Sequence, residues 1–215
     1  MKDIKTQQEE FWSTDFGKEY SDRNSWQSDK EWDQFYIDTW GKTKLEINNL
    51  VMSNLPKNIR ILEVGCNIGQ QLRGYQRMGF QNLYGLELQH YAVEKAKENT
   101  KGINIIQGSG FDLPFKDGFF DLVCTNGVLI HIAPKDHAKF MSEVIRCTSK
   151  YVMGWEYFSD EITDINYRGN KGFLWKADFA KIYQKLNGSL AQLSNHKVPY
   201  VDNSINQDEI FLLSK

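Results

Sequence analysis

The chain has 215 residues, 26 basic and 28 acidic side chains, a formal net charge of −2 and 40% hydrophobic composition. That length suits one domain with a full-sized core, and no basic run reaches nucleic-acid-binding density. No stretch approaches the ~20 apolar residues of a membrane span, the first ten residues lack a signal peptide's apolar run, and the three cysteines are widely spaced, so a reduced, cytoplasmic chain with no metal site is expected.

The first fifty or so residues are unusually aromatic. Phe11, Trp12, Phe16 and Tyr20 recur at near-helical spacing, and so do Trp32, Phe35, Tyr36 and Trp40. Such periodicity predicts amphipathic helices that need a surface to lie on, with the aromatic stripe serving as core rather than as a ligand box. Ser28 and Glu31 fit a capping box before a second helix, for which Pro56 is the latest end. Residues 1–55 are thus expected to form a helical cap or lid on a core spanning 56–215.

The texture changes at Ile59. Residues 59–64 form a short apolar run ending in glycine, a buried strand by length and flanks. A helix is expected over 69–78, stopping at Gly79. Further strands are expected at 83–88, 103–107, 119–125 and 151–155. Helices are expected at 90–98, from Pro134 to about Cys147, and from an Asp178 cap to about Leu186. Two last strands, near 190–198 and 209–213, have no helix between them, so one of the pair should be antiparallel. The alternation predicts an α/β fold, a Rossmann-like, mostly parallel seven-stranded sheet with helices on both faces. The connection 156–177 is long for a compact domain, and its five aromatic residues argue against disorder.

The stretch from Ile61 to Gly69, Ile-Leu-Glu-Val-Gly-Cys-Asn-Ile-Gly, carries the most information. A buried strand runs into Gly65, and Gly69 opens a helix, where glycine permits a sharp turn and a ligand's close approach. The spacing is neither the Gly-x-Gly-x-x-Gly of dinucleotide enzymes nor a phosphate-binding P-loop. Glu63 at the sheet's carboxyl edge would repel a pyrophosphate and attract an ammonium, such as that on the tail of S-adenosylmethionine (SAM). Glu87, eighteen residues after Gly69, stands where an acid hydrogen-bonds ribose hydroxyls in nucleoside-binding sheets. Asp112 and the Phe111 backbone, after the third strand, can meet an adenine. Each feature has a plainer alternative: a structural turn, a solvated carboxylate, a turn aspartate bonded to its own backbone. Their succession along adjacent strand ends is more specific than any one of them.

These residues resemble the class I SAM-dependent methyltransferases over 59–215, through Leu62-Glu-Val-Gly-Cys-Asn-Ile-Gly69, Glu87, Gly108-Ser-Gly-Phe-Asp-Leu-Pro114 and Phe120-Asp-Leu-Val-Cys-Thr-Asn126. The resemblance implies that SAM lies across the carboxyl ends of the first strands, with Leu88 and Asn126 beside it, and that the last strand is antiparallel. Asn67 departs from the commoner glycine, and asparagine tolerates left-handed backbone. A narrower resemblance, to bacterial methylases associated with pseudaminic acid biosynthesis, runs through Phe16-Gly-x-Glu-Tyr-x-x-Arg-Asn24, Gly127-Val-Leu-Ile-His-Ile132, Glu156-Tyr-Phe158, Tyr167-Arg-Gly169 and Trp175-Lys-x-Asp-Phe179. It implies a small sugar-like or nucleotide-sugar acceptor, with Tyr20, Arg23 and Asn24 on a lid that touches SAM's tail; a packed helix with a solvated arginine is the simpler alternative.

Methyl transfer needs an aligned acceptor and, for a hydroxyl or ammonium, a group to take a proton. His131 is the first candidate base, or it orients substrate only. Glu156 is the alternative base, with Tyr157 beside it to hold polar groups. Tyr167 and Arg168 sit in the long connection, where Arg168 either clamps an anion or forms a surface ion pair. Competing functions are a nucleic-acid or protein methyltransferase of the same fold, a non-catalytic SAM-binding module, and a dinucleotide oxidoreductase, which the glycine spacing disfavours. The N-terminal helices leave a monomer or a homodimer open.

Overall fold

The computed structural model describes residues 6–215, so the first five residues of the expected cap lie outside the described residues. Four helices open the chain: α1 (Gln7–Trp12), α2 (Asp15–Arg23), α3 (Asp29–Trp40) and α4 (Lys44–Met52). The sequence reading expected a single second helix reaching towards Pro56. Instead Gly41 turns left-handed at φ 71° and ends α3, and Thr43 with Glu46 forms a complete capping box that starts α4. At Ser28 only half of the expected box forms: its hydroxyl accepts from Glu31 N–H, while the Glu31 carboxylate accepts from Gln27 N–H.

The core strands are β1 (Arg60–Val64), β2 (Asn82–Glu87), β3 (Asn104–Gln107), β4 (Phe120–Asn126), β5 (Thr148–Tyr157), β8 (Ala191–Pro199) and β9 (Gln207–Ser214), joined in the order β3-β2-β1-β4-β5-β9-β8. The first five run parallel, and β9 pairs antiparallel with both β5 and β8. The intervening helices are α5 (Gln70–Arg77), α6 (His90–Asn99), α7 (His137–Cys147) and α8 (Phe179–Leu186). Pro134–Asp136 forms a 3-10 turn ahead of α7 rather than its first turn. The long connection folds into a two-stranded ribbon of β6 (Thr163–Asp164) and β7 (Trp175–Lys176).

Strand alternation divides the core between the two faces. Leu62, Val123, Val152 and Phe211 point towards α7 and α8, with Phe140, Val144, Phe179 and Tyr183. Ile61, Cys124, Trp155 and Ile210 point to the other face, covered by α4 and α5, with Ile47, Met52, Leu72 and Tyr75. The same parity puts Glu63 of β1 and Asp208 of β9 on the α4/α5 face. Because β9 is antiparallel, its first residues lie at the sheet edge where β1, β4 and β5 end, and Asp208 sits opposite Tyr157.

Candidate active site

The glycine turn does what its residues allow. Gly65 (φ 76°) and Asn67 (φ 46°) are left-handed, and Gly69 (φ 81°) is the N-cap of α5. A Cβ on Gly65 would lie 2.6 Å from Val128 Cγ2, and one on Gly69 would lie 2.7 Å from Thr100 Cγ2. Gly69 therefore serves close packing, and only Gly65 and Asn67 line the site. Glu87 ties the turn to β2: its carboxylate accepts from Asn67 N–H at 2.9 Å and from Gln89 N–H at 2.8 Å. Two acceptor positions remain on that carboxylate. Burial raises its pKa, and the backbone donors oppose that rise.

A cavity of about 160 Å³ runs along these strand ends, lined by Gly65, Glu87, Leu88, Phe111, Asn126 and His131. Asp112 does not join them: it is exposed and lines neither of the two cavities described here. Gly108, Ser109 and Gly110 form that wall with Phe111, and the Ser109 hydroxyl accepts from Phe111 N–H and donates to Glu9 Oε1. The lid reaches this wall through Glu9, a link that the sequence reading did not find.

Glu63 is 2% exposed. Its Oε1 accepts from Asn126 Nδ2 at 3.0 Å, while Oε2 is buried with no hydrogen-bond partner among the described residues. Burial pushes its carboxyl up to about 8. Asn126 also bonds the Tyr75 hydroxyl and Gln71 Nε2, so two buried side chains of α5 orient it.

Of the Tyr-x-x-Arg-Asn motif, Tyr20 lines both cavities and Asn24 lines the second. Arg23 turns outward to Glu19 at 3.4 Å and lines neither. The contact that closes α2 on the turn is Ser21, whose hydroxyl meets Asn67 Oδ1 at 2.6 Å. Gln89 Nε2 donates to the carbonyls of Trp12 and Thr14 and holds the α1–α2 junction down. The aromatic stripe is thus more than core: Trp12 and Tyr20 wall the first cavity, and Trp32, Phe35, Tyr36 and Trp40 wall the second.

His131 sits in a 3-10 turn after β4, 8% exposed, with its ring 4.6 Å from that of Trp12 and 5.1 Å from that of Tyr167. Its Nδ1 is 2.7 Å from the Phe173 carbonyl, which can only accept, so Nδ1 carries the proton and Nε2 is the acceptor. Burial lowers its pKa to about 4. A neutral ring with so low a pKa keeps its Nε2 lone pair free to accept a hydrogen bond but holds a proton poorly, which favours orientation over base catalysis.

Glu156 is 1% exposed and accepts from the N–H groups of Val128 and Ile130, so it shapes the loop after β4. Burial raises it to about 7. Tyr157 lines the second cavity, with Lys176 Nζ 4.0 Å from its ring centre. Tyr167 backs His131 and lines neither cavity. Arg168, at φ 50°, is exposed in the turn from Tyr167 to Asn170, away from both cavities, so the expected anion clamp does not form.

Residues 62–151 match the family described as a methyltransferase domain. The resemblance to solved structures extends over most of the chain. A chain of the complex between the Haloferax volcanii Trm112 methyltransferase activator and a methyltransferase aligns with TM-score 0.69 at 14% identity, covering 94% of this chain and 96% of that one. A SAM-dependent methyltransferase from Mesorhizobium loti aligns with TM-score 0.61 at 13% identity, covering 80% and 98%. This is the fold of the SAM-dependent methyltransferases. Among curated relatives, an uncharacterized methyltransferase of Synechocystis is 32% identical over 103 residues, 48% of this chain and 47% of that protein. The chain spans less than half the length of the curated relatives it matches. The Mesorhizobium loti protein is SAM-dependent, and the residues present in this chain fit that cofactor. The orphaned Glu63 oxygen suits an ammonium, Glu87 has acceptor capacity for ribose hydroxyls, and the glycine turn keeps side chains clear of the groove.

Proposed function

We propose that this chain is a SAM-dependent methyltransferase acting on a small polar acceptor, with 6–52 as the lid of a single domain. The observation that carries the proposal is the unpartnered Glu63 oxygen, in the lining of the second cavity beside Asn126, a residue that both cavities share. In this reading Glu63 accepts from the cofactor's ammonium, Glu87 from its ribose, and Leu88 and Phe111 flank the purine. Bound there, SAM supplies a methyl group activated for displacement. The lid excludes water through Trp12 and Tyr20, and His131 Nε2 accepts a hydrogen bond that orients the acceptor.

The narrower resemblance of the lid and the long connection supports a sugar-like acceptor of bacterial surface-glycan biosynthesis, handled in the cytoplasm. Three buried unpaired cysteines, Cys66, Cys124 and Cys147, suit a reducing compartment. Among the described residues no helix is long and apolar enough to cross a membrane. Labelled SAM offered with free and nucleotide-linked amino sugars, followed by mass spectrometry, tests the acceptor. Thermal shift with SAM and with NAD tests the cofactor, because only a bound ligand raises the melting temperature. Stabilisation by NAD and not by SAM would overturn the proposal.

A further inference from the structure

The second cavity, of about 360 Å³, opens beside the first and shares Tyr20, Gly65, Asn67, Asn126 and Gly127 with it. Strand parity builds it from the α4/α5 face of the sheet, with Trp155 of β5 and Asp208 of β9 on the same face as Glu63 of β1. Tyr36 and Trp40 of α3, together with Tyr157 and Tyr200, supply further ring surface. Trp40 packs against Trp155 at 5.6 Å and against Tyr200 at 5.3 Å, which fixes these rings against one another.

The charge of this lining is one-sided. Glu63, Glu156 and Asp208 are 2%, 1% and 5% exposed, and no lysine, arginine or histidine stands among the described lining residues. Lys44 lies behind the lining, fully buried with its Nζ 4.1 Å from the Trp155 ring centre; its charge acts on Asp208 and Glu63, and burial lowers its pKa to about 7, so it offsets the acids only in part. Buried carboxyl groups without a lining cation stay neutral or await one from a ligand. Aromatic faces attract cations, most strongly where water is excluded. An anion entering here would meet three acids and electron-rich rings. A diphosphate or carboxylate is therefore the wrong chemistry for the end of this cavity at Trp155, Tyr200 and Asp208, and Arg168 is not placed to offset it.

We infer that the amine end of the acceptor enters the second cavity as an ammonium, an aliphatic amine whose cation lies among Trp155, Tyr200 and Asp208, with no anionic group on the part that enters and the remainder reaching His131 of the first cavity past the shared Tyr20 and Gly127. This rests on the methyltransferase reading of the first cavity and names the acceptor class for it. Asp208 is the carboxylate left for the amine. Glu63 accepts from Asn126, which both cavities share, and Glu156 is engaged by two backbone N–H groups, whereas Asp208 accepts from the Tyr200 hydroxyl at 3.2 Å. Burial holds Asp208 near 7. An N–H bond of the ammonium breaks, its electron pair stays on nitrogen, and the proton joins an Asp208 oxygen. The amine then has the lone pair that methylation requires.

The test uses three probes of one shape and different charge: cyclohexylammonium, cyclohexanol and cyclohexanecarboxylate. Each is titrated by calorimetry, and by tryptophan fluorescence, into the full chain with and without S-adenosylhomocysteine. The expected result is about tenfold tighter binding of the ammonium than of the alcohol, and no binding of the carboxylate. Asp208→Asn should remove most of that preference while still binding S-adenosylhomocysteine, which also shows that the variant is folded. Tyr200→Phe serves if Asp208→Asn does not fold, and the wild-type series needs no variant. Equal or weaker binding of the ammonium overturns the inference. Failure of S-adenosylhomocysteine to bind overturns the methyltransferase reading instead, and the cavity's charge preference is then read directly from the series without it.

Discussion

Replacing Glu63 by glutamine separates the cost of burying this carboxyl from its use in binding. The side chain is 2% exposed, and burial raises its pKa from 4.5 to about 8. That rise corresponds to roughly 5 kcal/mol against the charged form, an upper bound because buried sites relax. The folded pKa lies above the unfolded one, so this group's contribution is complete below pH 4.5 and is lost as pH rises through about 8. Glutamine keeps an oxygen to accept from Asn126 Nδ2 and never ionises. The ligand-free variant should therefore hold its melting temperature between pH 5 and 9 better than wild type does. Binding should move the opposite way. A hydrogen bond to a charged group contributes about 1.5–3 kcal/mol, so affinity for S-adenosylhomocysteine should fall roughly ten- to hundredfold. Calorimetry near pH 7 adds a second readout: the wild-type carboxyl must ionise to meet an ammonium and should release a proton, seen as a dependence of the binding enthalpy on the buffer, and the variant should release none there. A variant that binds within about threefold of wild type, with unchanged proton release, would refute the assignment of Glu63.

Four further outcomes follow from the same geometry. Gly65→Arg should abolish SAM binding by calorimetry, because any Cβ there sits 2.6 Å from Val128 Cγ2 and φ is 76°; retained affinity would mean that the turn does not bind cofactor. His131 is held neutral with a pKa near 4, so its titration should leave no limb in the rate profile between pH 5.5 and 8, and His131→Gln should raise KM for the acceptor more than it lowers kcat. Gly17→Ala should loosen the lid, since its Cβ would lie 2.0 Å from the Trp12 carbonyl oxygen, and the result should be weaker S-adenosylhomocysteine binding with faster hydrogen exchange in α1 and α2. Stability of the ligand-free protein should fall as pH rises from about 4.5 to 8, because burial raises Glu63, Glu156 and Asp208, and should recover above it, because Lys44 is lowered to about 7 and the unfolded chain then binds the extra proton; chemical denaturation across pH 5–10 reads that minimum.

Local chemistry was enough to find the strands, the glycine turn and Glu87. A buried parallel strand is a short apolar run, and the sharp turn after β1 needs residues that tolerate positive φ, so Gly65 and Asn67 reveal it without any partner. The break between α3 and α4 was equally local: Gly41 and the Thr43–Glu46 box are explicit signals directly after the aromatic series ends at Trp40, and a helix drawn on towards Pro56 passes over them. Asp112 and Arg168 had the right type and position in the chain, and backbone geometry turned both to solvent. His131 was found as a residue, but its proton and its low pKa depend on the Phe173 carbonyl, 42 positions away. The second cavity was legible only in part: Tyr20, Asn24, Glu63, Glu156 and Tyr157 stood out in the sequence, and Trp155, Tyr200 and Asp208 did not. Asp208 reaches Tyr157 because β9 runs antiparallel beside β5, and Trp40 and Lys44 reach Trp155 because α3 and α4 cover that face of the sheet. Periodicity records which side of a strand or helix is apolar; which distant sides meet, and so which acids are buried together and that Lys44 lies behind them, is decided only when the sheet closes its register and the helices pack on it.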